Sequence, residues 1–238
     1  MNASDTASFY REFHPAAGHP FVECWWEQSV DERAGGYVQR VLPDACADVI
    51  VSSDGRATVV GPATSVQLPR LAAGTSLRGL RLRTAAIGTA LGLPADEIRD
   101  RELPLSDVFP ASEAARIAER VWQGDRTAAV PVPDERDERV EHALNALRRP
   151  AARVADVAAD LNLSERHLRR LVLSHTGLEP RTLRRVVRLQ RFLRLSAGRE
   201  RSLADLAARA GYADQAHLSR EVRALSGLTP TALLAERL

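Results

Sequence analysis

Two stretches of this 238-residue chain are written to one plan. Val154–Gly177 and Ser202–Gly227 each begin with a short run of small and apolar residues, pass a turn signal, and continue into a polar run carrying arginine and histidine. Each then enters a Gly-Leu-x-Pro sequence, Gly177-Leu178-Glu179-Pro180 and Gly227-Leu228-Thr229-Pro230. The copies lie about 50 residues apart, the length of one supersecondary unit plus a connector. Apolar residues inside each copy recur at helical spacing, so the C-terminal part is expected to be all-helical and built twice over.

In the first copy Val154, Val157, Ala158 and Leu161 share one helix face. A turn is expected near Asn162-Leu163, and Ser164 is placed to cap the next helix with its hydroxyl. On that helix Leu168, Leu171 and Val172 point inward, while Glu165, Arg166, Arg169 and Arg170 point out. In the second copy Leu203, Leu206, Ala207 and Ala210 point inward, Ser202 with Asp205 resembles a capping box, and Gly211 suits a turn that needs positive φ. Asp214 caps a helix that buries Leu218, Val222 and Leu225 and presents Gln215, Ala216, His217, Ser219, Arg220 and Arg223. A short helix, a tight turn and a polar second helix make the helix-turn-helix design, whose second helix enters a DNA major groove.

Groove geometry selects the candidate residues. The first turns of such a helix reach base edges, where Arg pairs with guanine and Gln with adenine through two hydrogen bonds. Arg166, Arg169 and Arg170, then Gln215, His217 and Arg220, are the expected base readers. Between the copies Pro180–Leu195 reads as one helix, with Pro180 at its first position. Its six arginines include Arg184, Arg188 and Arg191, expected with Ser164, Ser219 and Arg223 to hold phosphates. The bland alternative for any one of these arginines is a solvated helix face. The rod itself would hold two reading helices at fixed separation, suited to successive major grooves about 34 Å apart.

Charge follows the same division. Residues 151–238 carry 16 Arg against 9 acids, whereas residues 1–150 carry 17 Arg against 22 acids. A basic half joined to an acidic half places polyanion binding in the C-terminal part. All 33 basic residues are Arg, whose planar fork suits phosphate and guanine.

These residues resemble the AraC/XylS family of bacterial transcription regulators over about Val140–Leu233. The resemblance rests on Ser164, His167, Leu168, Arg170, Leu171, Gly177, Leu178 and Pro180. It continues through Leu203-Ala-Asp-Leu206-Ala207, Gly211-Tyr212, Asp214-Gln215-Ala216-His217-Leu218-Ser219-Arg220 and Gly227-Leu228-Thr229-Pro230. It implies a seven-helix domain with two helix-turn-helix units on a long linker helix, and base-reading positions at Arg166, Arg169, Arg170, Gln215, Ala216, His217 and Arg220. Val172 and Val222 stand where the family usually has an aromatic residue, Arg169 stands where Gln is common, and Ala216 offers no hydrogen bond. A target sequence therefore does not transfer from relatives. Residues around Val22–Glu27, Arg40–Asp48 and Val60–Ala63 resemble a small β-rich domain that precedes this DNA-binding domain in some actinobacterial regulators. In the wider family such a domain binds a small effector or makes a dimer.

The expected fold class is α+β: a β-rich domain with trailing helices over residues 1–123, a linker over 124–138 and an all-α domain over 139–238. Tyr37–Leu42, Asp48–Ser52 and Gly79–Arg83 read as short strands separated by Gly, Pro and Asp turns. Helical patterning begins at Thr84 and returns over Ser112–Trp122. Pro131, Pro133 and the charged run Asp134–Glu138 favour an extended linker.

Other functions are weighed on the same residues. His14, His19 and Glu23 lack a convincing metal-ligand spacing, so neither a metal, a cofactor nor an enzyme is expected. A redox sensor would use Cys46, but Asp44 and Asp48 beside it raise a thiol's pKa and lower its reactivity. Trp25, Trp26 and Cys46 are the candidates for an effector pocket, against the plainer reading that one ring is core and its neighbour covers the opposite strand face. The expected partner is double-stranded promoter DNA, with RNA polymerase, a small-molecule effector and a second copy of the chain as further candidates. No secretory signal or apolar stretch of membrane-spanning length is read, so the expected location is the cytoplasm.

Overall fold

The computed structural model describes residues 8–15, 19–126, 137–149, 152–197 and 202–237. The chain opens with strands β1 (Ser8–Phe13), β2 (Val22–Val30), β3 (Tyr37–Val38), β4 (Ala47–Ser52), β5 (Ala57–Val60), β6 (Arg70–Leu71), β7 (Ser76–Leu82) and β8 (Glu102–Pro104). Six of them form an antiparallel sheet in the order β1-β2-β7-β4-β5-β8, and β3 pairs with β6 in a separate ribbon.

Alternation sorts the sheet residues onto two faces. Trp25 opposes Leu80 and Phe13, and Val49 opposes Leu80 and Val59, so these side chains share one face. That face packs against α1 (Ile87–Leu91) and α2 (Ala111–Gln123). In α2 the stripe Ala114, Ile117 and Val121 lies on the sheet, and Gly124 ends the helix in the left-handed conformation. Burying each such aliphatic side chain stabilises the layer by about 1.5–3 kcal/mol. The opposite face carries Glu12 opposite Trp26, and Asp48 opposite Arg81.

Among the described residues seven further helices follow: α3 (Glu138–Leu147), α4 (Val154–Asp160), α5 (Glu165–Thr176), α6 (Pro180–Ser196), α7 (Leu203–Ala210), α8 (Gln215–Ser226) and α9 (Pro230–Glu236). The capping residues read from the sequence do their work. Ser164 accepts from His167 N, Ser202 from Asp205 N and Asp214 from His217 N. Asn162 takes φ 55° in the first turn and Gly211 φ 91° in the second. The linker helix α6 has 17 residues, a rod of about 25 Å. Leu183 and Val186 join a core with α3, α4 and α5, while Leu189, Phe192 and Leu193 join another with α7, α8 and α9.

The two halves of the chain pack on each other. Ala85 and Ala45 enter the core around α5, and Leu42 packs on the core around α8. Gln190 of α6 donates to Pro43 O at 2.6 Å, and Arg40 reaches Ser226 O at 2.8 Å and the Glu236 carboxylate at 2.7 Å. Arg99 donates to Gly177 O at 3.4 Å. Glycine makes the approach possible at two places. A Cβ on Gly88 would lie 2.6 Å from Ser174 O, and one on Gly177, at φ 69°, would lie 2.7 Å from Ala95 O. Most of the expected linker, residues 127–136, lies outside the described residues.

Candidate nucleic-acid interface

Arg166, Arg169 and Arg170 all lie exposed on α5, because Leu168 and Val172 bury the other side of the same turns. Arg169 pairs with Glu179, the residue just before α6. Both partners are well exposed, and such pairs are worth about 0–1 kcal/mol, so the arginine is readily released to a stronger acceptor. On α8, Gln215, Ala216, Arg220 and Arg223 are exposed around the buried line Leu218, Val222 and Leu225, and Ser219 is half-buried. Ser164 stands at the exposed start of α5, where free backbone N–H groups favour a phosphate.

Two expected contact residues are committed elsewhere. His217 Nδ1 accepts from Ala213 N at 3.2 Å, its Nε2 lies 3.5 Å from Glu221, and its ring stands edge-on to Tyr212. Nδ1 therefore serves the turn before α8, and the side chain stays 31% exposed beside Glu221. Arg188 makes two hydrogen bonds from Nη2 to the two Glu221 oxygens, each at 2.8 Å, and lies over the Tyr212 ring. Its side chain is only 16% exposed, so a phosphate would have to displace Glu221 to reach it. Arg184 and Arg191 stay half-buried on α6, and burial, then Arg188 nearby, lowers the Arg184 pKa.

Glu221, Glu179 and Tyr212 are the functional neighbours that sequence reasoning passed over. Glu221 also draws Arg185 to 3.3 Å, so a single carboxylate is shared by two linker-helix arginines. The available signal was one acid four residues after His217 on an otherwise basic helix, since residues four apart meet on a helix face.

In the N-terminal sheet, Trp25 is separated from the other two expected effector residues. Trp25 belongs to the core under α2, while Trp26 lies on the opposite face, where its Nε1 donates to Asp48 at 2.7 Å. Arg81 is shared among three carboxylates, Glu12 at 3.1 Å, Asp48 at 3.2 Å and Asp44 at 3.5 Å. Burial pushes the Asp48 carboxyl up to about 6 against the pull of Arg81, and Asp44 pushes it the same way. Cys46 sits beside Asp44, and burial, with Asp44 adding to it, raises its thiol well above the ordinary range. Cys24 on the same sheet face is pushed up to about 12, again by burial. A raised pKa disfavours the thiolate form on which redox chemistry at cysteine depends. His19 Nδ1 accepts from Phe21 N and Val22 N, so that nitrogen belongs to the start of β2. Among the described residues no three His, Cys, Asp or Glu are grouped to hold a metal, and no helix is long and apolar enough to cross a membrane.

Comparison with known proteins finds two matches along the chain. Residues 157–236 match the family described as a helix-turn-helix domain, and residues 11–104 match a domain of unknown function, DUF6597. The chain thus carries a helix-turn-helix domain over residues 157–236 behind that N-terminal domain. No curated protein matches the chain.

Among solved structures, it is similar to an AraC-type DNA-binding domain protein from Chromobacterium violaceum, with 22% identity over 42% of this chain and 92% of that one, at TM-score 0.39. ToxT from Vibrio cholerae is similar over 96% of this chain and 98% of its own, with 13% identity and TM-score 0.44. The DNA-binding domain of AdpA, a global transcriptional factor solved with a target DNA, shares 28% identity over 42% of this chain and 88% of its own, at TM-score 0.37.

Proposed function

We propose that the chain reads two successive major-groove segments of promoter DNA, one with α5 and one with α8. The observation that carries this reading is the duplication itself. Each copy buries one side of its second helix and leaves arginine or glutamine exposed on the first turns of the other. Arg166, Arg169 and Arg170 then face one box, and Gln215 and Arg220 the other. Ser164, Ser219, Arg223, Arg184 and Arg191 lie toward the sugar-phosphate backbone. A base-pair contact of this kind supplies about 1–3 kcal/mol of discrimination, enough for a short box to be chosen from random sequence.

The N-terminal domain is proposed to carry the control, through a small effector or through a second copy of the chain. Trp26 and Cys46, on the side of the sheet that bears Arg81, are its effector-facing candidates, while Trp25 serves the core. RNA polymerase is the proposed downstream partner. Selection of bound duplexes from a random pool, using the full chain, tests the reading. Two short enriched boxes about one helical turn apart are expected, and a pool without enriched sequence overturns it.

A further inference from the structure

The linker helix α6 is common to both helical cores, and one N-terminal segment runs alongside it and touches both as well. Ala45 sits in the core around α5, Pro43 O accepts from Gln190 on α6, Leu42 packs on the core around α8, and Arg40 holds Ser226 O and Glu236. On the first unit Arg99 donates to Gly177 O. The C-terminal end of each recognition helix is therefore held by an arginine from the N-terminal half. A cation there is also favoured by the helix dipole.

We propose that the segment Arg40–Ala45 is a splint that sets the distance and angle between α5 and α8, and so the spacing between DNA boxes that the chain accepts. The proposal rests on the reading of those two helices as the base-reading elements. Two units joined along one helix change their relative pose when that helix bends, and long helices do curve. Moving a box by one base pair displaces it by about 3.4 Å and turns it by about a tenth of a helical turn. A modest bend in α6 would follow such a change. A second connection beside α6 resists it.

The splint is built to be stiff. Ala45 is held at φ 64°, a conformation disfavoured for residues with a Cβ, yet it is 2% exposed and wedged in the core. Asp44 accepts from Cys46 N at 2.9 Å and reaches Arg81, so the root of the segment is tied to the sheet. Arg40 and Leu42 are its far end, and they act on DNA only by positioning α8.

The test uses the full chain and duplexes carrying the two selected boxes, with the spacer kept, shortened or lengthened by one and two base pairs. For the wild-type chain, affinity should fall by about tenfold for each one-pair change, the scale of one lost base contact. The double variant Arg40→Ala, Leu42→Ala should flatten that profile to within about threefold, while its sequence preference inside each box stays the same. Spacing profiles that coincide in the two proteins overturn the splint, and so does a wild-type profile that is already flat. Failure of the wild-type chain to bind any selected duplex overturns the reading of α5 and α8 instead. If the double variant lacks a cooperative thermal transition, Arg40→Met alone, which keeps the aliphatic stem and removes the hydrogen bonds, is scored by the same criteria.

Discussion

Thr176 and Ser226 make the same hydrogen bonds fifty residues apart. Each hydroxyl, fully buried, donates to the carbonyl four residues back, Val172 O or Val222 O at 2.7 Å, and accepts from the N–H two residues on, Leu178 at 3.1 Å or Leu228 at 3.2 Å. The repeat is thus a repeat of hydrogen bonds as well as of letters. Thr176→Val keeps the volume but leaves Leu178 N–H without its acceptor. The expected loss is about 1–3 kcal/mol, with Thr176→Ser close to wild type, read from urea melts of the three proteins.

Glu221 is expected to matter for stability more than for DNA. Glu221→Ala leaves Arg188 nearly buried beside Arg185 with no counter-charge, a change that costs about 3–5 kcal/mol for a buried pair. Arg188→Ala should destabilise too, yet leave the salt dependence of DNA binding unchanged. A lowered salt slope in that variant would return Arg188 to the phosphate contacts.

Base readers and phosphate contacts separate by a different measurement. Arg170→Ala or Arg220→Ala should cost about 1–3 kcal/mol on a selected site and relax the preference at one base pair. Arg223→Ala should weaken all sites evenly and reduce the salt slope by about one. Binding titrations at several salt concentrations, on the selected site and on single-base variants of it, distinguish the two behaviours.

Asp48 gives the N-terminal sheet a pH dependence of defined sign. Its pKa in the fold is raised to about 6 by burial, while an unfolded Asp titrates near pH 4. Its contribution is therefore fully present below about pH 4 and is lost as pH rises through about 6. Asp48→Asn cannot ionise, so relative to wild type it should gain on the order of 2 kcal/mol between those limits. Thermal melts of both proteins from pH 4 to pH 7 measure the gain. A relative loss over that window would mean that the ion pair with Arg81 outweighs the burial of the charge.

The C-terminal half was readable because its signals are local. Ser164, Ser202, Asp214 and Gly211 each act on a neighbour within a few residues, and the inward line Leu168 and Val172 repeats as Leu218 and Val222. The family resemblance added the seven-helix count. The commitments of Arg188 and His217 were not readable, because they depend on Glu221 and Tyr212 meeting two different helices. In the N-terminal half, β2 is buried on both faces, with Trp25 against the α2 layer and Trp26 against Gly79 and Asp48. That erases the alternation by which a half-exposed strand is recognised. The pairing of Arg40 with Glu236 spans nearly the whole chain, and nothing in either local sequence announces it.

Leu42 and Ala45, three residues apart, each complete a different helical core. The helical half is therefore not a cassette that can be cut from the sheet at the linker. Excision would strip apolar cover from both units at once, and a hybrid regulator made by exchanging N-terminal domains would inherit whichever loop arrived with the new domain. A functional transplant has to carry its own version of residues 40–45, matched to the helices it will lie against.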